Sequence, residues 1–381
     1  MSDAVDAVSD SRKKLEKVWW GVVVALLVAL VLGGVAYSLV AARGQDATPS
    51  KVRIATVVFQ RGGKPLLAGT AALVESEGWL RTELAARQIE LEWVPAPHAS
   101  VAATINEGFA NGRIDFASYG DLPSLIANAA GVRTKLVVPN GRGTDTHLIV
   151  PIDSPARSIE DLKGKRIALH RGRPWELPFQ RLLASKGLKY EDFTILNLNP
   201  EAGTAAIVGK KVDAMYTMSD AYLLEERGAA KIIWSTAEAP PDWKVRAELW
   251  AAGAFIEAQP ELTELVARAF VRAAHFASRE ENRARMLELG SASGTPESVV
   301  RRALESVTPY RDNWSPLFDA TVQEHYRHSA RLALDQGLIQ RQVDFEAIHD
   351  PRFVASALSA LELENYWRPA GQTASAREVS P

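Results

Sequence analysis

The sequence predicts an α/β protein of two lobes behind an N-terminal apolar span, and three observations carry that expectation. Val18 to Ala42 is a run of 25 residues without a charge. From Lys51 onward, short β-branched runs alternate with helical stretches, the pattern of α/β units around a mostly parallel sheet. The pattern then restarts near Ser158, where Gly209-Lys-Lys-Val-Asp-Ala echoes Asn111-Gly-Arg-Ile-Asp-Phe in architecture rather than as a true repeat.

Composition narrows the function. A chain of 381 residues has room for two domains with a core each. Its 47% hydrophobic and 24% charged residues are ordinary for a globular protein. A net charge of -2 gives no electrostatic case for nucleic acid binding. The absence of cysteine excludes disulfides, thiolate metal sites, a cysteine nucleophile and a lipid anchor on cysteine.

Residues 1–17 are polar, with Arg12, Lys13, Lys14 and Lys17 just ahead of the apolar run. That run, 18–42, exceeds the roughly 20 residues of a membrane span and the roughly 7–15 of a signal-peptide core. It is hydrophobic all round, unlike a surface helix of a soluble domain. The preceding positive charges place the amino end in the cytoplasm and the bulk outside, with Trp19 and Trp20 at the interface. Val40-Ala41-Ala42 also fits a cleavage site, so a retained anchor and a cleaved leader both stand. Residues 43–50 have linker composition.

A strand opens at Val52 and ends at Phe59, followed by a flexible, donor-rich loop to Pro65 and a helix from about Leu66 to Ser76, which Gly78 breaks. Leu80 to Arg87 reads as helix, Ile89 to Val94 as an alternating strand and Val101 to Phe109 as helix. Next comes the stretch from Phe109 to Gly131. Asn111-Gly112 suits a helix C-cap, Ile114 to Ser118 a buried strand, and Gly120-Asp121 a turn with Asp121 as N-cap of the next helix. Pro123 fits the first turn of that helix and Gly131 ends it. A helix starting just past a strand's carboxyl end aims free N–H groups into a crevice and suits an anion. Leu136–Val138 and His147–Val150 are short strands flanking Asn140 to Asp145.

The second unit opens with a short helix from Ser158 and a strand to Leu169. Arg171-Gly-Arg-Pro-Trp175 is a loop, Glu176 to Lys186 a helix, Phe193 to Asn197 a strand, Ala202 to Val208 a helix and Val212 to Tyr216 a strand. Lys231–Trp234 and Leu249–Ile256 are expected as strands. Pro260 to Ser278 is a long amphipathic helix, and further helices run to about Leu334. The tail, 366–381, is polar and of disordered composition.

Several of these segments carry a shared wording. N-G-x-I-D-F-A-x-x-G-D-x-P at Asn111–Pro123 is followed by A-x-A-A-G ending at Gly131. Asp161-Leu-Lys-Gly-Lys-Arg-Ile-Ala opens the second unit. A helix follows Gln259-Pro-Glu, and Gln336-Gly-Leu-Ile-Gln precedes Val343-Asp344. In this order, over about Val52 to Leu361, the chain resembles the ABC-importer substrate-binding proteins for alkanesulfonates, taurine and nitrate. The resemblance implies the type II periplasmic-binding-protein fold, with residues 51–147 and 251–365 as lobe 1, 148–250 as lobe 2, and a ligand cleft between them. It implies a small organic anion as ligand, with an aliphatic sulfonate or taurine first, and ABC permease subunits in the inner membrane as partners. It implies no cofactor, a periplasmic location and, with the apolar span retained, a membrane tether. Nitrate, a pyrimidine precursor and a tethered sensor role are the alternatives. Enzymes of thiamine pyrimidine synthesis share the fold, but a cysteine-rich motif features in them and this chain has no cysteine.

The resemblance also points to site residues. The G-D-x-P segment, with Tyr119, Gly120 and Asp121, would form one wall of the cleft. Where the family has a Gly-Ser donor pair, this chain has Gly172 and Arg173. The guanidinium offers a planar fork for two anion oxygens, and Trp175 a surface for an apolar tail, or else Arg173 is a solvated loop cation and Trp175 a lid over the core. Ser219 and Asp220 match a family W-D-P segment only in part, and Ser219 either donates to the ligand or caps a helix. Gln60 and Arg61 end the first strand, as a ligand contact or as a surface loop. Trp250 falls where the chain returns to lobe 1, as hinge packing or cleft floor.

The histidines are His98, His147, His170, His275, His325, His328 and His349. His325 and His328 share a helix face, but without a partnering carboxylate motif they make a weak metal site. No phosphate loop, G-x-G-x-x-G after a strand, or G-x-S-x-G elbow occurs, so no catalytic constellation is expected.

Overall fold

A computed structural model describes residues 48–61, 64–98, 100–305 and 309–370. The expected membrane span at 18–42 lies outside the described residues, as does 371–381 of the tail expected from 366. The start of that tail is instead packed, with Trp367 buried and its Nε1 donating to the Arg311 carbonyl at 3.1 Å. Among the described residues no helix is long and apolar enough to cross a membrane.

The chain runs β1 (Lys51–Arg61), β2 (Lys64–Leu67), α1 (Gly69–Glu77), α2 (Trp79–Ala85), β3 (Glu90–Pro97), α3 (Val101–Ala110), β4 (Phe116–Gly120), α4 (Asp121–Ala129) and β5 (Thr134–Val138). Next come β6 (His147–Pro151), β7 (Arg166–Leu169), α5 (Glu176–Ser185), β8 (Thr194–Asn197), α6 (Pro200–Val208), β9 (Ala214–Thr217), α7 (Asp220–Glu226) and β10 (Ala230–Ser235). The remainder is β11 (Ala247–Ala252), α8 (Gly253–Ala258), α9 (Pro260–Ser278), α10 (Arg283–Ser291), α11 (Glu297–Leu304), α12 (Ala320–Asp335), α13 (Phe345–Ile348) and α14 (Arg352–Ala360).

The strands form two sheets. In the first, β1 runs parallel to β3 and β4, and β11 lies antiparallel between β4 and β5. The second has the order β10-β6-β9-β7-β8, with β7 parallel to β8 and β9 and β6 antiparallel to its neighbours. Each sheet is therefore mixed rather than mostly parallel. β6 and β11 are the strands by which the chain arrives from the other sheet. They start at the end where their neighbours finish, so they must run the opposite way. The expected lobe limits at 147/148 and 250/251 fall inside these two strands, because His147 already pairs in the second sheet and Ala247 in the first.

Both sheets are covered on both faces, and side chains alternate with the period of two that a strand imposes. In the second sheet Leu148, Val150, Ile167, Leu169 and Tyr216 face one core while Ile149, Ala168 and Met215 face the other. In the first, Val52, Ile54, Phe116 and Leu249 face one side, and Ala55, Ala117 and Trp250 the other. Helix α9 occupies the expected range and buries Leu262, Leu265, Val266, Ala269, Phe270, Ala273 and Ala277, a stripe at helical spacing. Each large apolar side chain in it contributes about 1.5–3 kcal/mol relative to exposure.

Two segments depart from expectation. Lys64–Leu67 is strand, pairing Phe59 with Leu66, where a loop and a helix start were expected. β1 extends beyond its pairing with β4, so its free edge takes a hairpin partner, and an edge strand tolerates Pro65. The strand expected to Ile256 stops at Ala252, where the Gly253 N–H donates to the Arg133 carbonyl and α8 begins.

Residues 139–146 and 236–246 connect the two sheets. They pair with each other through Thr144 and Val245, whose N–H groups donate reciprocally at 2.9 and 3.0 Å. Lys244 reaches Asp145 at 2.9 Å, and Thr236 donates to the same carboxylate at 2.9 Å. Gly141, at φ +73°, passes so close to the Asn313 carbonyl that a Cβ would lie 1.8 Å from it.

Candidate functional site: a cavity between the two sheets

The crossing segments floor a cavity of about 290 Å³. Its first-sheet side is the end of β1 (Thr56, Phe59), the end of β4 (Ser118, Tyr119, Gly120) and Thr70 of α1. Its second-sheet side is Arg173-Pro174-Trp175 and Met218, and Thr144, Val245 and Arg246 lie between. The sequence-expected residues that meet here are thus Tyr119, Gly120, Arg173 and Trp175. Gly120 approaches Pro174 so closely that a Cβ on it would lie 2.2 Å from Pro174 Cγ.

Arg173 dominates the electrostatics. It is 7% exposed, and among the described residues no carboxylate or carbonyl pairs with its guanidinium. The Trp175 ring lies 5.1 Å from it. Burial without a counter-ion pushes the Arg173 pKa down to about 10. An unpaired cation held away from water is costly, and an anion relieves that cost.

The loop carrying Arg173 is set by Glu176, which is 1% exposed. Its carboxylate accepts from Arg171 Nε at 3.1 Å, from the Gly172 N–H and from the Tyr190 hydroxyl at 2.8 Å. Arg171 and Gly172 are thereby committed inside the protein, and Gly172, at φ +71°, makes the turn that presents Arg173.

The start of α4 differs from expectation. The N-cap is Gly120, and Asp121 is the first helical residue, fully buried. The Asp121 N–H donates to the Arg246 carbonyl at 3.0 Å, the Leu122 N–H donates to Asp121 Oδ1 at 2.6 Å, and Pro123 has no N–H. This helix end is therefore satisfied from within and does not present a cluster of free donors. Asp121 Oδ2 accepts from the Arg246 N–H at 3.1 Å and lies 2.8 Å from His325 Nε2. His325 Nδ1 is 2.8 Å from the Asp242 carbonyl oxygen, while Arg181 of α5 donates to Asp242 Oδ2 at 2.8 Å and to the Ser329 hydroxyl at 3.1 Å. His328 Nδ1 is 2.9 Å from Asp242 Oδ2. The two histidines considered for a metal are thus engaged with Asp121 and Asp242, the buried His325 within a tie between α4, α5 and α12 and the exposed His328 at its rim.

The other expected residues are placed as follows. Trp250 is fully buried in the first sheet, edge-on to Tyr119 at 6.4 Å and Tyr326 at 5.7 Å, so it is packing beneath the cavity. Ser219 occupies the N-cap of α7 without a capping hydrogen bond, and Asp220 accepts from the Thr217 hydroxyl at 3.0 Å. Gln60 and Arg61 end β1, opposite Pro65 and Lys64 in the hairpin.

Two cavity residues, His98 and Arg246, escaped sequence reasoning. His98 lies just past β3 with its ring stacked 5.6 Å from Phe59, and nothing local marks it. Arg246 is buried beneath the cavity, with Nε donating to Glu248 Oε1 at 2.5 Å and Nη2 to the Gly141 carbonyl at 2.9 Å. Burial lowers its pKa, but Glu248 more than offsets this and the net shift is upward. Glu248 also accepts from the Asn140 N–H. Arg246 is a neutralised cation and Arg173 is not, a distinction that appears only once the strands are paired.

A family model described as NMT1/THI5 like matches residues 84–284, more than half of the chain. The chain belongs to the NMT1/THI5-like family. It is 45% identical to a periplasmic sulfonate-binding protein SsuA, of a sulfonate ABC transporter, from Methylobacillus flagellatus KT, with a TM-score of 0.78 over 87% of this chain and 99% of that one. It also resembles in fold the alkanesulfonate-binding protein SsuA from Xanthomonas axonopodis pv. citri bound to MOPS, at 24% identity and a TM-score of 0.65 over 80% and 99% of the two chains. A Bacillus subtilis (strain 168) protein named for binding aliphatic sulfonates is 22% identical over 345 residues, 89% of this chain and 96% of that protein. The family resemblance read from the motifs therefore holds, and the fold is the α/β fold of periplasmic binding proteins.

Proposed function

We propose that this protein is the substrate-binding component of an ABC importer, closing one lobe built on each sheet around a small organic anion, with a sulfonate as first choice. The observation that carries the reading is the buried, unpaired Arg173 at the cavity wall. A sulfonate is ionised at every physiological pH, and two of its oxygens match the guanidinium fork. Trp175, Phe59 and Met218 give an organic tail an apolar surface, which favours a sulfonate with a carbon chain over nitrate or sulfate. Contacts at Tyr119, Gly120, Gln60 and Arg61 belong to the same proposal. Relatives named for sulfonate binding support the choice of ligand.

The proposed setting is the outer face of an inner membrane, with Val18–Ala42 as tether and a permease as receiver of the ligand. Support comes from relatives named as periplasmic and from the basic residues ahead of the apolar run. A thermal-shift series on the segment from Ser50 on tests the ligand. Alkanesulfonates of rising chain length should raise the melting temperature by mass action, and Arg173→Ala should abolish the shift. A shift with nitrate or a thiamine pyrimidine alone would keep the fold and replace the ligand.

A further inference from the structure

Two imidazoles share the surroundings of the same unpaired cation, one lining its cavity and one beside the Trp175 ring that it faces. His98 lines the cavity from the first-sheet side, stacked on Phe59. His170, just past β7, places its ring 6.0 Å from that of Trp175, and its Nδ1 is buried without a hydrogen-bond partner. The charges facing His98 are Arg173, Glu201 and Asp220, with Nδ1 3.8 Å from Glu201 Oε1. Those facing His170 are Arg173, His98, Glu201 and Glu176. Burial, and then the Arg173 charge, hold both rings below their usual pKa of 6.5, so each is neutral at neutral pH.

We propose that anion capture here is proton-coupled: a sulfonate settling on Arg173 brings a negative charge into the cavity that His98 lines and beside the Trp175 ring that His170 faces, and the pair takes up a proton as the ligand binds. The inference rests on the anion-binding reading of the cavity. The balance is simple, since one anion and one solvent proton enter, an imidazole becomes an imidazolium, and no bond to the ligand forms. The uptake adds a second positive charge beside the anion. It also turns the 3.8 Å contact between His98 and Glu201 into an ion pair across the cavity mouth, joining first-sheet and second-sheet sides. By linkage, affinity rises as the pH falls between the liganded and the free pKa of the imidazoles, by up to about tenfold per unit for uptake of one proton.

The test is calorimetry of the full chain with 1-butanesulfonate between pH 5.5 and 8, in bis-Tris and Tris, because sulfonate buffers would themselves compete for the cavity. The ligand holds no titrating group, so any slope belongs to the protein. We expect Kd to fall as the pH is lowered, by up to about tenfold per unit, a weakly buffered solution to turn alkaline on mixing, and the double variant His98→Asn, His170→Gln to lose both effects. A flat Kd with binding intact overturns the proposal, as does a double variant with the slope of the unaltered chain. If the variant fails to fold, histidine C2–H resonances of the unaltered chain decide: at least one midpoint of the pair must move to higher pH with ligand, and unmoved midpoints overturn the proposal. Absence of binding at every pH overturns the cavity reading itself, and this inference with it.

Discussion

Gly120 and Pro174 meet across the two sheet units with no room for a side chain between them, since a Cβ on Gly120 would lie 2.2 Å from Pro174 Cγ. Gly120 has extended backbone angles, φ -72° and ψ 161°, which any residue adopts. Its lack of a side chain is therefore demanded by the opposite unit and not by its own conformation. Gly120→Ala should leave each lobe folded and hold the pair apart. The expected result is an affinity for butanesulfonate at least ~10-fold weaker, about 1.4 kcal/mol, with little change in ligand-free melting. Calorimetry and the solution radius of gyration with and without ligand check this, and unchanged affinity would show that closure does not use this contact.

Arg173→Met should separate stability from binding. The side chain keeps its apolar stem and loses a buried charge that has no partner. Ligand-free stability in urea should hold or rise. Affinity for sulfonates should fall by about 100-fold, since charge-assisted hydrogen bonds are worth about 1.5–3 kcal/mol each. A large loss of ligand-free stability would make Arg173 a structural cation instead.

The tie between Asp121 and His325 predicts the opposite pattern. Both side chains are almost wholly buried, 2.8 Å apart. His325→Leu leaves the Asp121 carboxylate without its imidazole and should cost about 3 kcal/mol of stability. Asp121→Asn should cost a similar amount, and the double variant less than the sum, because both changes break one contact. Urea unfolding of the four proteins gives the coupling, and strict additivity would refute it.

His147 sets an acid limit. It is 3% exposed, its Nδ1 has no partner, and burial pushes its pKa down to about 4. The folded value lies below the unfolded value near 6.5, so the unfolded chain takes up the proton first. Its stabilisation is complete above pH 6.5 and is lost as pH falls toward 4, reaching about 3 kcal/mol at roughly 1.4 kcal/mol per pKa unit. Unfolding midpoints from pH 7.5 to 4 should show this decline, and His147→Gln should flatten it.

How far the chain could be read depended on distance. The strand, turn and helix around Gly120 are specified by Gly, Asp and Pro acting over a few residues, and α9 by an apolar stripe within one helix. Arg173 stood out because a strand and a helix start bracket it. The role of Asp121 was not legible, because its partner His325 lies 204 residues away. The pairing of Arg246 with Glu248, which separates the spent cation from the free one, needs the register of β11 to be known. Leu66 and Leu67 looked helical for a similar reason, since the edge of β1 that recruits them is a tertiary feature.

The place of β11 has a consequence for the order in which the protein is made. It lies between β4 and β5, yet it is the last strand in the chain. Until Ala252 has left the ribosome, β5 lacks its strand partner in the first sheet, whereas β6 to β10 complete the second sheet in one unbroken stretch. A chain ended after Ser235 should protect the amides of the second sheet from exchange while those of β5 stay open. The sheet begun first is thus the one finished last.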